Sequence, residues 1–164
     1  MQLIGKGTFS KVYRISENKV KIVSSDWAKE CQALFIDSFL VPKLEKIDYE
    51  MEYFDKVQSL KNSLLPGQYE IYKELRALPF FYCANSYDYL DKLRDNFKLL
   101  KNEKVKEGLM DVLDELSNYG TDIVFEISPR NVAVKNGKLV LLDCFFFKSQ
   151  LTQVRTSKKR YHYA

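Results

Sequence analysis

The dipeptide Asn136-Gly137, set between Val132-Ala133-Val134 and Leu139-Val140-Leu141-Leu142, constrains this chain more than any other stretch. A type I′ turn needs positive φ at both central residues, and Asn-Gly tolerates that best, so two short strands are expected to fold back on each other. Asn131 enters this hairpin five residues before Asn136, and Asp143 leaves it six residues after Gly137. Closing the turn therefore brings two oxygen-bearing side chains to one open end. A hard cation such as Mg²⁺ is commonly held by one or two protein oxygens, completed by phosphate oxygens and water, and this pair suits that task. Asn and Asp also serve simply to punctuate hairpin ends.

Upstream, Gln2-Leu3-Ile4 leads into Gly5-Lys6-Gly7-Thr8-Phe9-Ser10-Lys11-Val12-Tyr13, and Lys19-Val20-Lys21-Ile22-Val23 alternates with period two after Ser16-Glu17-Asn18. Strands joined by tight turns are expected. From Asp26 the period becomes helical through Trp27, Cys31, Leu34 and Phe35, with Ser25 or Asp26 placed to cap. Residues 41–54 read as extended, Pro42 excluding a helix at their start and 49–54 forming a strand that runs into a connector. Helical patterns follow near Gln68 to Leu78, from Tyr87 to Leu100, and from Glu103 to Asn118. The last carries Val105, Leu109, Val112 and Leu116 on one stripe, with Gly120 expected as a left-handed stop. The fold class is α+β: a small antiparallel sheet with one helix over residues 1–54, then a mainly helical part carrying the hairpin over 55–147.

A length of 164 residues fits one domain. Cys31, Cys83 and Cys144 form no paired motif, which argues against a disulfide framework or thiolate metal site and favours a reducing, cytoplasmic setting. His162 is the single histidine, so histidine-based acid–base chemistry and the usual zinc sites are disfavoured. The run Leu139 to Phe147 is the most apolar, far short of a membrane span and interrupted by Asp143, and no signal peptide is read at the start. Of the net charge of +4, Lys148, Arg155, Lys158, Lys159 and Arg160 contribute five units, leaving 21 basic against 22 acidic side chains in the body. Basicity thus belongs to the segment 148–164, read as a solvated tail, a docking arm for an acidic partner or a site of autophosphorylation. Nucleic acid is not an expected partner.

Gly5-x-Gly7-x-x-Ser10-x-Val12 is a glycine-rich turn between strands, where backbone N–H groups can approach phosphate oxygens. It does not open a helix and lacks the Gly-Lys-Ser/Thr ending of a P-loop. On strand alternation Lys21 points away from Val20 and Ile22, and Glu30, at the margin of the helical stripe, is placed to turn inward and pair with it.

In this order, the glycine turn, strand lysine, helix glutamate, connector Met51-Glu52-Tyr53-Phe54, helical part, and Asn and Asp around a hairpin resemble the protein kinase fold over residues 3–147. The likeness is nearest to the compact kinases of bacteriophages and of bacterial effectors. It implies ATP and Mg²⁺ as cofactors, with Gly5, Lys6, Gly7, Thr8, Phe9, Ser10 and Val12 covering the phosphates and Lys21 contacting them. Met51, Glu52 and Tyr53 would meet the adenine, and Asn131 and Asp143 would hold metal. Glu126, within Glu126-Ile127-Ser128-Pro129-Arg130-Asn131, stands where the family has its catalytic Asp. Lys19 shares a face with Lys21 and leaves two candidates for the phosphate lysine.

The chain departs from the family at Glu126, at Ser128 in place of a lysine, and at Phe145 in place of the glycine after the metal-binding Asp. Only 21 residues follow Asp143, too few for the family's peptide-docking helices. The expected function is a minimal Mg²⁺–ATP-dependent protein Ser/Thr kinase acting on a protein partner. The alternatives are a pseudokinase that binds a partner without phosphoryl transfer and, less favoured, a small-molecule phosphotransferase.

Overall fold

The computed structural model describes residues 1–35, 39–45, 49–79 and 87–162. Cys83 and Tyr163 lie outside the described residues, as do the side chains of Leu34, Phe35 and the basic cluster 158–160. Among the described residues the architecture is α+β, with a four-stranded antiparallel sheet, two separate two-stranded ladders and six helices.

Strands β1 (Gln2–Lys6), β2 (Ser10–Arg14), β3 (Lys19–Ser24) and β4 (Glu50–Glu52) pair in chain order. Period-two alternation works as expected in β3, where Val20 and Ile22 are buried while Lys19 and Val23 are exposed. Among the described residues of the stretch read as extended, β4 takes three, and a bridge joins Glu45 to Glu50. Tyr49 enters β4 at φ 46, a left-handed conformation unusual for an aromatic residue, and its carbonyl accepts the Ile22 N–H at 3.1 Å.

Helix α1 (Trp27–Phe35) starts where Asp26 Oδ1 accepts the Ala28 N–H at 2.9 Å, so Asp26 is the cap. Between β4 and the hairpin come α2 (Leu60–Ser63), α3 (Pro66–Ala77), α4 (Tyr87–Lys98) and α5 (Glu103–Ser117). The α5 stripe is as the periodicity predicts, with Val105, Leu109, Val112 and Leu116 all buried. Its end is not. The cap Asn118 is right-handed at φ −70, and Gly120 has no positive φ. Gly120 is small for a packing reason instead, since a Cβ there would lie 3.2 Å from the buried ring of Phe147.

Strand β5 (Ile123–Phe125) pairs antiparallel with β8 (Phe145–Phe147), and β6 (Val132–Lys135) with β7 (Lys138–Leu141). Phe97 meets Phe125 and Phe145 edge-on and Phe125 and Phe145 are tilted, with ring centroids 5.0–6.3 Å apart, so an aromatic cluster sits at the start of the loop 126–131. The segment read as a basic tail is a helix, α6 (Lys148–His162), and its first turn is docked on one side: Gln150 and Leu151 are buried while Ser149 is exposed. Among the described residues, no helix is long and apolar enough to cross a membrane.

Candidate functional site

Asn136 and Gly137 take φ of 52° and 74°, the double left-handed turn expected, and the β6–β7 ladder runs from Lys135↔Lys138 to Val132↔Leu141. At its open end one atom gathers the chain, because the Asn131 carbonyl accepts the Leu142 N–H at 2.8 Å and the Asp143 N–H at 3.5 Å. Asn131 Nδ2 faces the Glu126 carbonyl at 3.4 Å, which leaves Oδ1 as the side chain's acceptor for a cation. The Glu126 N–H in turn donates to the Cys144 carbonyl at 2.8 Å, and the Glu126 carboxylate is exposed. The β5–β8 and β6–β7 pairings thus clamp loop 126–131 against Asp143. Cys144 lies just behind, its thiol pushed up to about 12 by burial first and by the Asp143 charge second.

The glycine turn reaches this end of the molecule through its tip. Gly7 N–H closes the turn on Ser10 O at 2.8 Å, and the Phe9 carbonyl accepts the Ser25 N–H at 3.1 Å. Ser10 Oγ and Ser24 Oγ are hydrogen bonded at 2.6 Å, and the Phe9 ring meets Phe146, three residues beyond Asp143, at 6.4 Å. At Gly7 a Cβ would meet nothing closer than Ser10 O at 3.9 Å, so the backbone is open to approach there.

Helix α1 supplies a residue that sequence reasoning passed over. Glu30, expected to turn inward, is exposed, and Lys29 is buried in its stead. Lys29 Nζ donates to the Leu142 carbonyl at 2.5 Å and lies 3.4 Å from both Gln32 Oε1 and Asp143 Oδ1. The lysine side chain is 7% exposed and the aspartate 50%, so the pair is anchored inside and opens outward at the carboxylate. The available signal was helical spacing: Lys29 and Gln32 lie one turn apart, beside the buried Ala28 and Cys31. Asp26 completes the group. Burial first, and the Asp143 charge after it, push it up to about 6 against the opposing pull of the Ala28 N–H and of Lys29. Its Oδ2 is buried without a hydrogen-bond partner.

The sheet lysines divide. Lys19 is drawn outward to Glu45 and Glu50, 3.4 Å from each, and these raise its pKa, the Glu45 hydrogen bond most. Lys21 is half-buried, cross-strand from Tyr13 and Glu50. In the connector, Met51 pairs with Val20, and Glu52 bonds Lys135 on the hairpin at 2.6 Å. The Tyr53 N–H donates to Asn18 O at 3.0 Å, so this donor is already engaged.

From α6, Gln150 Oε1 accepts the Trp27 N–H at 3.1 Å while Nε2 donates to Ser25 O, which ties the chain's last helix to the first turn of α1. No periodic signal marks Gln150 in the sequence.

Chemically, the assembly offers two hard oxygen donors, Asn131 and Asp143, one buried ammonium and an exposed carboxylate at Glu126. Among the described residues no group of three or more His, Cys, Asp or Glu side chains is placed to hold a metal, so a cation here needs oxygens from a ligand such as a phosphate. The cavity behind Asp143, about 20 Å³ and lined by Lys29, Gln32 and Leu142, is water-sized, which leaves the solvent side of Asp143 for anything larger. No protein-family model matches the chain, and neither does any curated protein or solved structure.

Proposed function

We propose that this chain is a minimal Mg²⁺–ATP-dependent phosphotransferase of the protein kinase type, acting on Ser or Thr hydroxyls of a protein partner. The observation that carries the reading is the meeting of Asn131 and Asp143 at the open end of one hairpin, with the tip of the glycine turn anchored beside it through Phe9. The order of sheet, helix, connector, helices and hairpin supports it.

Asn131 and Asp143 are the residues to hold the cation, and Lys21 and the open backbone around Gly7 are the residues to meet phosphate. Bound Mg²⁺–ATP supplies the transferable phosphoryl group and the charge that offsets its oxygens. Glu126 is free to orient an acceptor hydroxyl and take its proton. Its carboxylate stands one methylene farther from the backbone than an Asp would, and a misplacement of about 1 Å costs on the order of 100-fold in rate, so turnover is expected to be slow.

A second reading, a pseudokinase that acts by binding a partner, is favoured by one contact: Lys29 already gives Asp143 a cation from within the protein. Thermal-shift titrations with ATP, with and without Mg²⁺, on the wild type and Asp143→Ala, together with phosphoryl transfer to itself or to lysate proteins, test both readings. Metal-dependent stabilisation that the variant loses, with transfer, supports the enzyme. Stabilisation without transfer supports the binding module, and no response to nucleotide in either buffer sinks the site.

A further inference from the structure

Lys29 is buried and touches Asp143, the residue placed to hold the cation. Its three N–H donors have three acceptors, the Leu142 carbonyl, Gln32 Oε1 and Asp143 Oδ1, and only the first is short. Of the two longer contacts, both 3.4 Å, one is to the half-exposed carboxylate, the member of the trio facing solvent. We infer that Lys29 is a phosphate-binding cation of this site, and that its ion pair with Asp143 is a closed form that metal and nucleotide open together. The carboxylate passes to Mg²⁺ and the ammonium to a phosphate oxygen.

The inference rests on the nucleotide reading above and follows from charge. Mg²⁺ alone, taking Asp143, would leave the Lys29 ammonium almost buried beside a second cation. ATP alone, taking Lys29, would leave the Asp143 carboxylate beside phosphate oxygens of like sign. Each ligand alone strands a charge, and the two together pair every charge. Metal and nucleotide therefore bind with positive coupling, reciprocal by linkage. Asp26, buried on the same helix turn, adds negative charge that holds the ammonium in place when it leaves Asp143. No bond is made or broken in this exchange, and no proton is lost.

The test is ATP affinity of the full chain, read by isothermal titration in EDTA and in Mg²⁺. Wild type is expected to bind about tenfold more tightly with Mg²⁺, within the usual range of such couplings. Asp143→Ala releases Lys29, so in EDTA it binds ATP several-fold more tightly than wild type, and Mg²⁺ no longer helps. Lys29→Met keeps the stem and removes the charge, so it binds ATP about tenfold more weakly in EDTA. In that background Asp143→Ala has no tightening effect. Lys29→Arg, which keeps the charge if Met disturbs folding, stays within a few-fold of wild type. Glu70→Gln, a loss of one negative charge on α3 whose carboxylate pairs with Lys73, changes the EDTA value less than Asp143→Ala does.

Unchanged or weakened ATP binding by Asp143→Ala in EDTA, alongside normal Mg²⁺–ATP binding by the wild type, overturns the role of Lys29 and spares the nucleotide site. Lys29→Met matching wild type in EDTA does the same. Absence of ATP binding by the wild type in both buffers removes the site itself and the inference with it.

Discussion

In the β6–β7 hairpin both turn residues are left-handed and three of four β7 residues are buried, whereas in the β1–β2 hairpin neither Gly5 nor Gly7 has positive φ and no residue is fully buried. The first hairpin is shaped by its own turn and fixed by the core. The second is shaped from outside, by Ser24 at the end of β3, by Ser25 just before α1 and by the Phe9–Phe146 contact. A site assembled from both would have a floor fixed by the core, carrying Asn131 and Asp143, and a roof whose position depends on the segment leading into α1. Lys29 sits where the two meet, on the same helix that anchors the roof.

The sharpest way to break the contrast is Gly137→Val. A Cβ there would stand 2.8 Å from Leu65 Cγ, at a φ of +74° that a β-branched residue resists, so both strain and overlap oppose it. The expected loss is about 4 kcal/mol by urea unfolding. Adding Leu65→Ala relieves the overlap and leaves the strain, so the double variant should recover part of the loss over Leu65→Ala alone.

The anchor of the roof is tested by Asp26→Asn, which still offers an oxygen to the Ala28 N–H. Because burial raises Asp26 from 3.8 to about 6, the folded state holds this proton more tightly than the unfolded state. Its contribution is therefore favourable at pH 4 and is lost as pH rises toward 6 and above, by at most about 3 kcal/mol. Asp26→Asn has no such loss. Thermal melts should show the variant gaining on the wild type between pH 4.5 and 7.5, and a difference independent of pH would mean that Asp26 is ionised throughout.

Gln150→Ala removes both bonds from α6 to the head of α1 and leaves the Ser25 carbonyl and the Trp27 N–H without these partners. A loss of about 2 kcal/mol is expected. If the roof depends on α1 as argued, hydrogen exchange should quicken in residues 7–10 and stay unchanged in 132–141.

What the sequence made legible follows the same division. Asn136-Gly137 and the spacing of Asn131 and Asp143 are local facts, and the hairpin they imply is present. The α5 stripe is equally local. The β5–β8 ladder, by contrast, joins Ile123 to Phe147, and neither three-residue strand has a periodicity of its own. Glu30 and Lys29 differ by one helical step of about 100°, and packing against the hairpin, not the stripe alone, decided which turned inward. The segment 148–164 looked like a tail because its charges are legible while the contacts that hold its first turn, Gln150 on the head of α1 and Lys148 and Ser149 on Asp122, are not. Gly120 resembled a helix stop and is a packing contact with Phe147.

The smallest expected effect on stability belongs to Gly7→Ala, and it bears most directly on function. Gly7 lies outside the left-handed region and its Cβ direction is open, so alanine fits without strain. Stability should change by under about 1 kcal/mol, with a slight gain because the unfolded chain loses freedom. The added methyl group nevertheless occupies the approach that a phosphate oxygen would use to reach the backbone N–H groups of the turn. Titration of Mg²⁺–ATP against Gly7→Ala should therefore show affinity reduced several-fold in a protein at least as stable as the wild type. Gly67→Ala, at a glycine with equally open surroundings far along the chain, supplies the control for unfolded-state effects. Equal nucleotide affinity in both variants would mean that the turn's glycine serves only to close the hairpin, through the Gly7–Ser10 hydrogen bond, and that the roof contributes no phosphate contact at that point.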